Sequence, residues 1–135
     1  METQLDEDLQ IQVGKNQIKQ ALINIIMNAI ESMEKKLKEQ PELAGHLTLR
    51  VSTAAEGDRV LITISDEGCG MNEKELRRCT DPFFTTKTKG TGLGLAVSKS
   101  YIEENGGILF IDSREREYTR ITLEFPRYIA EVQES

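Results

Sequence analysis

No apolar run among the 135 residues approaches the roughly 20 that a membrane-spanning helix requires, and Met1 to Gln10 lacks the h-region of a signal peptide. This piece is therefore expected to live in an aqueous compartment with no direct membrane contact of its own, either as a cytoplasmic protein or as the cytoplasmic part of a membrane-bound one. Cysteine is scarce: Cys69 and Cys79 are too far apart for a C-x-x-C site, and only His46, the single histidine, could help them hold a metal. Both are expected to be free cytosolic thiols. Positive charge is in deficit, with 17 Lys+Arg against 23 Asp+Glu and a net charge of −6, which disfavours nucleic acid or an anionic membrane as the main partner. There is no internal repeat and no sign of a second domain, so residues 1–135 read as a single domain, long enough to bury about two thirds of the unfolded surface around one core.

What is present is periodicity. Leu9, Ile11 and Val13 alternate with polar residues as a half-buried strand would, up to Gly14. From Asn16, a permissible N-cap, Ile18, Leu22, Ile25, Ala29 and Met33 mark a helix of about six turns that stops before Pro41. Its charged last stretch, Glu34 to Glu39, holds Lys35, Lys36 and Lys38 at the negative end of the helix dipole and reads as a solvated helix end. Leu47 to Ser52 and Val60 to Ser65, joined through Glu56-Gly57-Asp58, read as an antiparallel hairpin. His46 precedes it as an exposed loop residue. A short helix is expected over Asn72 to Arg78, then an irregular segment from Cys79 to Gly90, rich in Thr, Pro and Gly as a lid would be. A helix follows from about Thr91 to Asn105, with Leu93, Ala96, Val97 and Ile102 inward, and Gly106-Gly107 ends it. Ile108 to Ser113 and Thr119 to Phe125 make a second hairpin.

Three features are not explained by packing. Asn24, Asn28 and Glu31 form one polar line on the long helix, where two amides among apolar neighbours need partners, from neighbouring loops or from a bound ion. Asp66-Glu67-Gly68-Cys69-Gly70-Met71 places a carboxylate at a strand end before a tight turn, where it either shapes the turn or accepts from an exocyclic amine. Lys89-Gly90-Thr91-Gly92-Leu93-Gly94-Leu95 opens a helix with three alternate glycines, either as a flexible linker or as an anion site of uncovered N–H groups with Lys87 and Lys89 beside it. It is neither G-x-G-x-x-G after a strand nor a P-loop, since no G-K-[ST] occurs.

In this order and at these separations, the Asn-bearing helix, Asp66-x-Gly68-x-Gly70, Asp81-Pro82-Phe83-Phe84 and Gly90 to Leu95 look like a known set. The chain resembles the catalytic, ATP-binding domain of bacterial sensor histidine kinases, within the superfamily shared with gyrase, a heat-shock chaperone and mismatch-repair proteins. Asn24 to Met33, together with Phe83 to Lys87, is also similar to the sporulation-type sensor kinases of bacilli. The resemblance implies a two-layer α/β (α+β) sandwich of the Bergerat type, with three main helices on one face of a mixed, mainly antiparallel five-stranded sheet. ATP would lie between the long helix and a lid. By position, Asn28 would ligate Mg²⁺ with Asn24 beside it, and Asp66 would accept from the adenine amino group with Gly68, Gly70, Met71 and Thr119 around the base. Gly90, Thr91, Gly92, Leu93, Gly94 and Leu95 would cradle the phosphates, Lys87 and Lys89 would offset their charge, and Phe83 and Phe84 would order the lid.

Departures from the family pattern shape the expected chemistry. Asn24 stands where hydrolysing members and anti-sigma-type serine kinases carry Glu, and an amide cannot act as a general base at neutral pH. Glu31 stands where many histidine kinases have Lys, Lys15 replaces a frequent acidic residue, and Tyr118 replaces a frequent Gly before Thr119. No phosphoacceptor helix is found, and His46 does not fit one. The expectation is a catalytic fragment, monomeric alone, that phosphorylates a histidine of a separate dimerisation domain and serves a response regulator indirectly. A serine-kinase switch protein and a nucleotide binder without catalysis are the alternatives.

Overall fold

The computed structural model describes residues 2–4, 11, 13–81 and 94–128. In chain order these form β1 (Glu2–Gln4), α1 (Lys15–Glu39), a 3-10 turn (Pro41–Leu43), β2 (Leu49–Glu56), β3 (Arg59–Asp66), α2 (Glu73–Arg78), α3 (Gly94–Glu104), β4 (Ile108–Arg114) and β5 (Tyr118–Pro126). The sheet order is β1-β2-β3-β5-β4. β1 runs parallel to β2 and the other neighbours are antiparallel, so the expected mixed, mainly antiparallel five-stranded sheet is present.

Apolar period decides which faces meet. α1 buries Ile18, Ala21, Ile25 and Ala29, spaced by three and four residues. Alternation on β3 and β5 turns Ile64, Ile121, Leu123 and Phe125 toward that helix, and Leu49 of β2 and Ile102 of α3 complete the cluster. α3 seats on α1 through Ser98, which is fully buried. Its hydroxyl donates to the carbonyls of Gly94 at 2.8 Å and Ala21 at 3.3 Å. The inward residues of α3 are thus Ser98 and Ile102, with Leu95 and Tyr101 against the core, whereas the expected Ala96 and Val97 are half-buried and Leu93 lies outside the described residues.

Three expectations change. The strand read over 9–13 is not formed at Ile11 and Val13, which pack against the core without pairing, while Leu9, Gln10 and Gln12 lie outside the described residues. The strand lies earlier, at Glu2–Gln4, because a partner on β2 decides pairing and alternation only decides facing. Asn16 is not the N-cap of α1. Gly14 holds that position without a side-chain cap, and its amide donates to Asn105 Oδ1 at 2.6 Å, so the far end of α3 supplies the acceptor. The hairpin strands extend to Leu49–Glu56 and Arg59–Asp66, which brings Asp66 into the last pair of the ladder.

Candidate functional site

The inward alternation of β3 that places Val60 and Ile64 in the core ends on Asp66, so a carboxylate takes the next position of an apolar face. Across the ladder Asp66 pairs with Leu49 on one side and Thr119 on the other. It is only 4 % exposed, and burial pushes its pKa from the ordinary 3.8 up to about 6, against the lowering effect of the Gly68 amide and the charge of Lys36. Oδ1 accepts the Gly68 N–H at 2.8 Å. A buried carboxylate of this kind is costly unless something must donate to it.

The turn that follows is held from three sides. From α1, Ser32 Oγ accepts the Cys69 amide at 2.8 Å, and Lys36 Nζ donates to the Glu67 carbonyl at 3.2 Å. From the start of β2, the Thr48 carbonyl accepts the Glu67 amide. From the β4–β5 hairpin, Ser113 Oγ accepts the Met71 amide at 2.9 Å and the Arg116 amide donates to the Cys69 carbonyl. Ser113 in turn donates to the Tyr118 carbonyl and shares a 2.8 Å hydrogen bond with the Thr119 hydroxyl. Glycine is required twice. A Cβ on Gly68 would lie 2.3 Å from Ser32 Oγ, and one on Gly70, where φ is +63°, would lie 2.0 Å from the Arg114 carbonyl oxygen. Asp66, Gly68, Gly70, Met71 and Thr119 are therefore gathered into one rigid corner. After it, Asn72 starts α2 with a capping box: its side chain accepts the Glu75 amide and Glu75 accepts the Asn72 amide.

Asn28 faces the start of α3. A Cβ on Gly94 would sit 3.6 Å from Asn28 Nδ2, so the last glycine of the Gly90 to Leu95 run lies against this amide. Leu95, one residue on, packs against the core. Asn24, one turn earlier on α1, is half-buried and accepts from Gln20 Nε2 at 3.0 Å. Glu31 is half-buried and His46 is exposed. Phe83, Phe84, Lys87, Lys89, Gly90, Thr91, Gly92 and Leu93 lie outside the described residues. Among the described residues no group of three His, Cys, Asp or Glu could hold a metal ion, and both cysteines are free thiols. A single amide oxygen suits Mg²⁺, which keeps several waters and takes phosphate oxygens for the rest of its octahedron.

Ser32 and Ser113 carry no role in the sequence reading and Lys36 only that of a solvated helix end, yet all three hold the turn. The four-residue spacing of Asn28, Ser32 and Lys36 along α1 was the available signal. Lys36 in particular is half-buried rather than part of a solvated helix end.

A two-layer α/β sandwich with a buried carboxylate in a glycine corner, opposite an asparagine-bearing helix, is the architecture of one ATPase class, and the sequence agrees. The family described as histidine kinase-, DNA gyrase B-, and HSP90-like ATPase matches residues 14–129, and the chain belongs to it. Within that family it is similar to sporulation kinase E of Bacillus subtilis, 41 % identical over 122 residues, and to sporulation kinase A of the same organism, 38 % identical over 121 residues. Each alignment covers 90 % of this chain but only 15 % and 18 % of the relative. Sensor histidine kinase WalK of Bacillus subtilis is 36 % identical over 127 residues. The chain thus spans a fifth or less of these relatives, and the part it matches is the catalytic ATPase domain. Among solved structures it superposes on the nucleotide-free catalytic domain of histidine kinase ThkA with a TM-score of 0.73, at 28 % identity and covering 93 % of this chain and 78 % of that one.

Proposed function

We propose that this domain binds Mg·ATP and transfers the γ-phosphate to a histidine on a separate dimerisation and phosphoacceptor domain, which passes it to a response regulator. The buried, turn-locked Asp66 is the observation that carries the reading, because it gives a fixed acceptor for the adenine amine beside the Thr119 hydroxyl. Asn28 would hold Mg²⁺, with Asn24 polar to the same site. Gly90 to Leu95 would receive the phosphates on backbone N–H groups, with Lys87 and Lys89 as counter-charges and Phe84 on the lid. Bound Mg²⁺ would neutralise developing charge on the phosphoryl oxygens. The chain's own contribution is positioning: the corner fixes the base, α1 fixes the metal ligand, and the phosphates are thereby held at a set distance from both.

Asn24 favours transfer over hydrolysis. Its amide cannot take a proton from water, so the acceptor must bring its own base. Residues 1–135 act as one domain of a cytoplasmic kinase, and the likeness to sporulation kinases supports a role in that kind of signalling. The test mixes the protein with labelled ATP, Mg²⁺ and a separately prepared dimerisation and histidine domain. Acid-labile, alkali-stable label on that domain is expected. Acid-stable label on a partner's serine would replace this reading with the serine-kinase one, and nucleotide binding without any transfer would leave a binding domain only.

A further inference from the structure

We propose that Lys36 is a positioning residue for adenine recognition, strapping the Asp66–Met71 turn to the β4–β5 hairpin and setting the charge environment of Asp66. The proposal rests on the reading that Asp66 meets the adenine amine. Lys36 Nζ donates to two backbone carbonyls from different segments, Glu67 at 3.2 Å and Arg116 at 2.9 Å. The same two segments meet backbone to backbone beside this bridge, where a Cβ on Gly70 would strike the Arg114 and Tyr118 carbonyls. A cation bridging two converging carbonyls relieves their repulsion and forms two charge-assisted hydrogen bonds. Arg116 needs such an anchor, because it is a non-glycine residue at φ +66° and its own amide is committed to the Cys69 carbonyl. One turn earlier Ser32 takes the Cys69 amide, so α1 grips the turn at two points four residues apart, on the line that continues to Asn28.

The same ammonium acts on Asp66 through space. Leu49 and Thr119, the cross-strand neighbours of Asp66, are uncharged, and the Gly68 amide is its hydrogen-bond donor. On α1 the charge that favours ionised Asp66 is Lys36. The other charged groups on the elements packed there include Glu31, Lys35 and Glu39 of α1, Arg50 of β2, Glu67 of the turn, and Asp112, Arg114, Arg116, Glu117 and Arg120 of the hairpin. Removing Lys36 should therefore loosen the turn and also make Asp66 easier to protonate. A merely structural lysine would do only the first.

The experiment titrates ATP into the wild type, Lys36→Met, Lys36→Arg and Asp66→Asn between pH 5 and 8 in shared buffers, so that the nucleotide's own protonation cancels, with amide exchange followed over residues 67–71. For Lys36→Met we expect roughly tenfold weaker binding near pH 7.5, faster exchange at the Cys69 amide and a higher pH at which half the binding is lost. Lys36→Arg should restore all three. Unchanged affinity, or weaker binding with an unmoved pH midpoint, overturns the proposal. If the wild type fails to bind ATP, or Asp66→Asn binds as well as wild type, the adenine reading itself falls and takes the strap with it. Binding by the wild type and not by Asp66→Asn, with Lys36→Met indistinguishable from wild type, removes the strap alone.

Discussion

On the proposed reading, Asp66 opposes stability to function within one side chain. Its carboxyl is raised from 3.8 to about 6 in the fold, chiefly by burial. Between those pH values the folded state binds more protons than the unfolded state, so stability falls as pH rises through that window. Above it the buried charge costs on the order of 3 kcal/mol. Asp66→Asn keeps an Oδ1 acceptor for the Gly68 amide and removes that charge. Its expected effect is a higher thermal midpoint at pH 7.5, with the gain shrinking as pH is lowered toward 4, and at least tenfold weaker ATP binding at pH 7.5. Scanning calorimetry across that pH range checks the first part. A variant less stable than wild type at pH 7.5 would show that the carboxylate contributes to the fold.

The element that organises the molecule is α1, which has two working lines. Ile18, Ala21, Ile25 and Ala29 make the core line, and Asn28, Ser32 and Lys36 reach from the start of α3 to the glycine corner. The core line was legible at Ile18, Ile25 and Ala29 because apolar spacing is set by the helix repeat alone, whereas the small Ala21 is fully buried and the expected Leu22 and Met33 are only half-buried. The second line was legible only at Asn28. Ser32 and Lys36 acquire their roles from carbonyls and amides that the turn and the hairpin bring to the helix, and no local pattern encodes that meeting. The early strand was missed for the same reason, since the parallel pairing of Glu2–Gln4 with Arg50–Ser52 joins distant parts of the chain. The glycines were easier to read: Gly68 and Gly70 stand where a side chain would collide, and that demand is visible as residue type. Ile25, 1 % exposed at the centre of the core line, tests this division. Ile25→Ala should cost about 2–5 kcal/mol in denaturant unfolding with an unchanged slope, because it leaves a cavity between α1 and the sheet. A loss below about 1 kcal/mol would mean that the α1–sheet seam is not the main core.

At the scale of the whole molecule, one apolar layer joins the sheet to α1 and α3, and the candidate site lies where that layer ends. Asp66 and Thr119 close the sheet side, and on the helix side Asn28 faces Gly94 at the start of α3. None of the described helices is long and apolar enough to cross a membrane. The family match spans residues 14–129, so the fold and the ATPase assignment concern nearly all of the chain. On the proposed reading, the Asp66 corner and Asn28 are two ends of a single Mg·ATP site. Calorimetric titration of ATP into wild type and Asn28→Ala, each in Mg²⁺ and in chelator, tests it most directly. Mg²⁺ is expected to strengthen binding to the wild type at least tenfold, and Asn28→Ala is expected to lose this gain while keeping its thermal midpoint. Equal binding with and without Mg²⁺, or a gain that survives in Asn28→Ala, would contradict it.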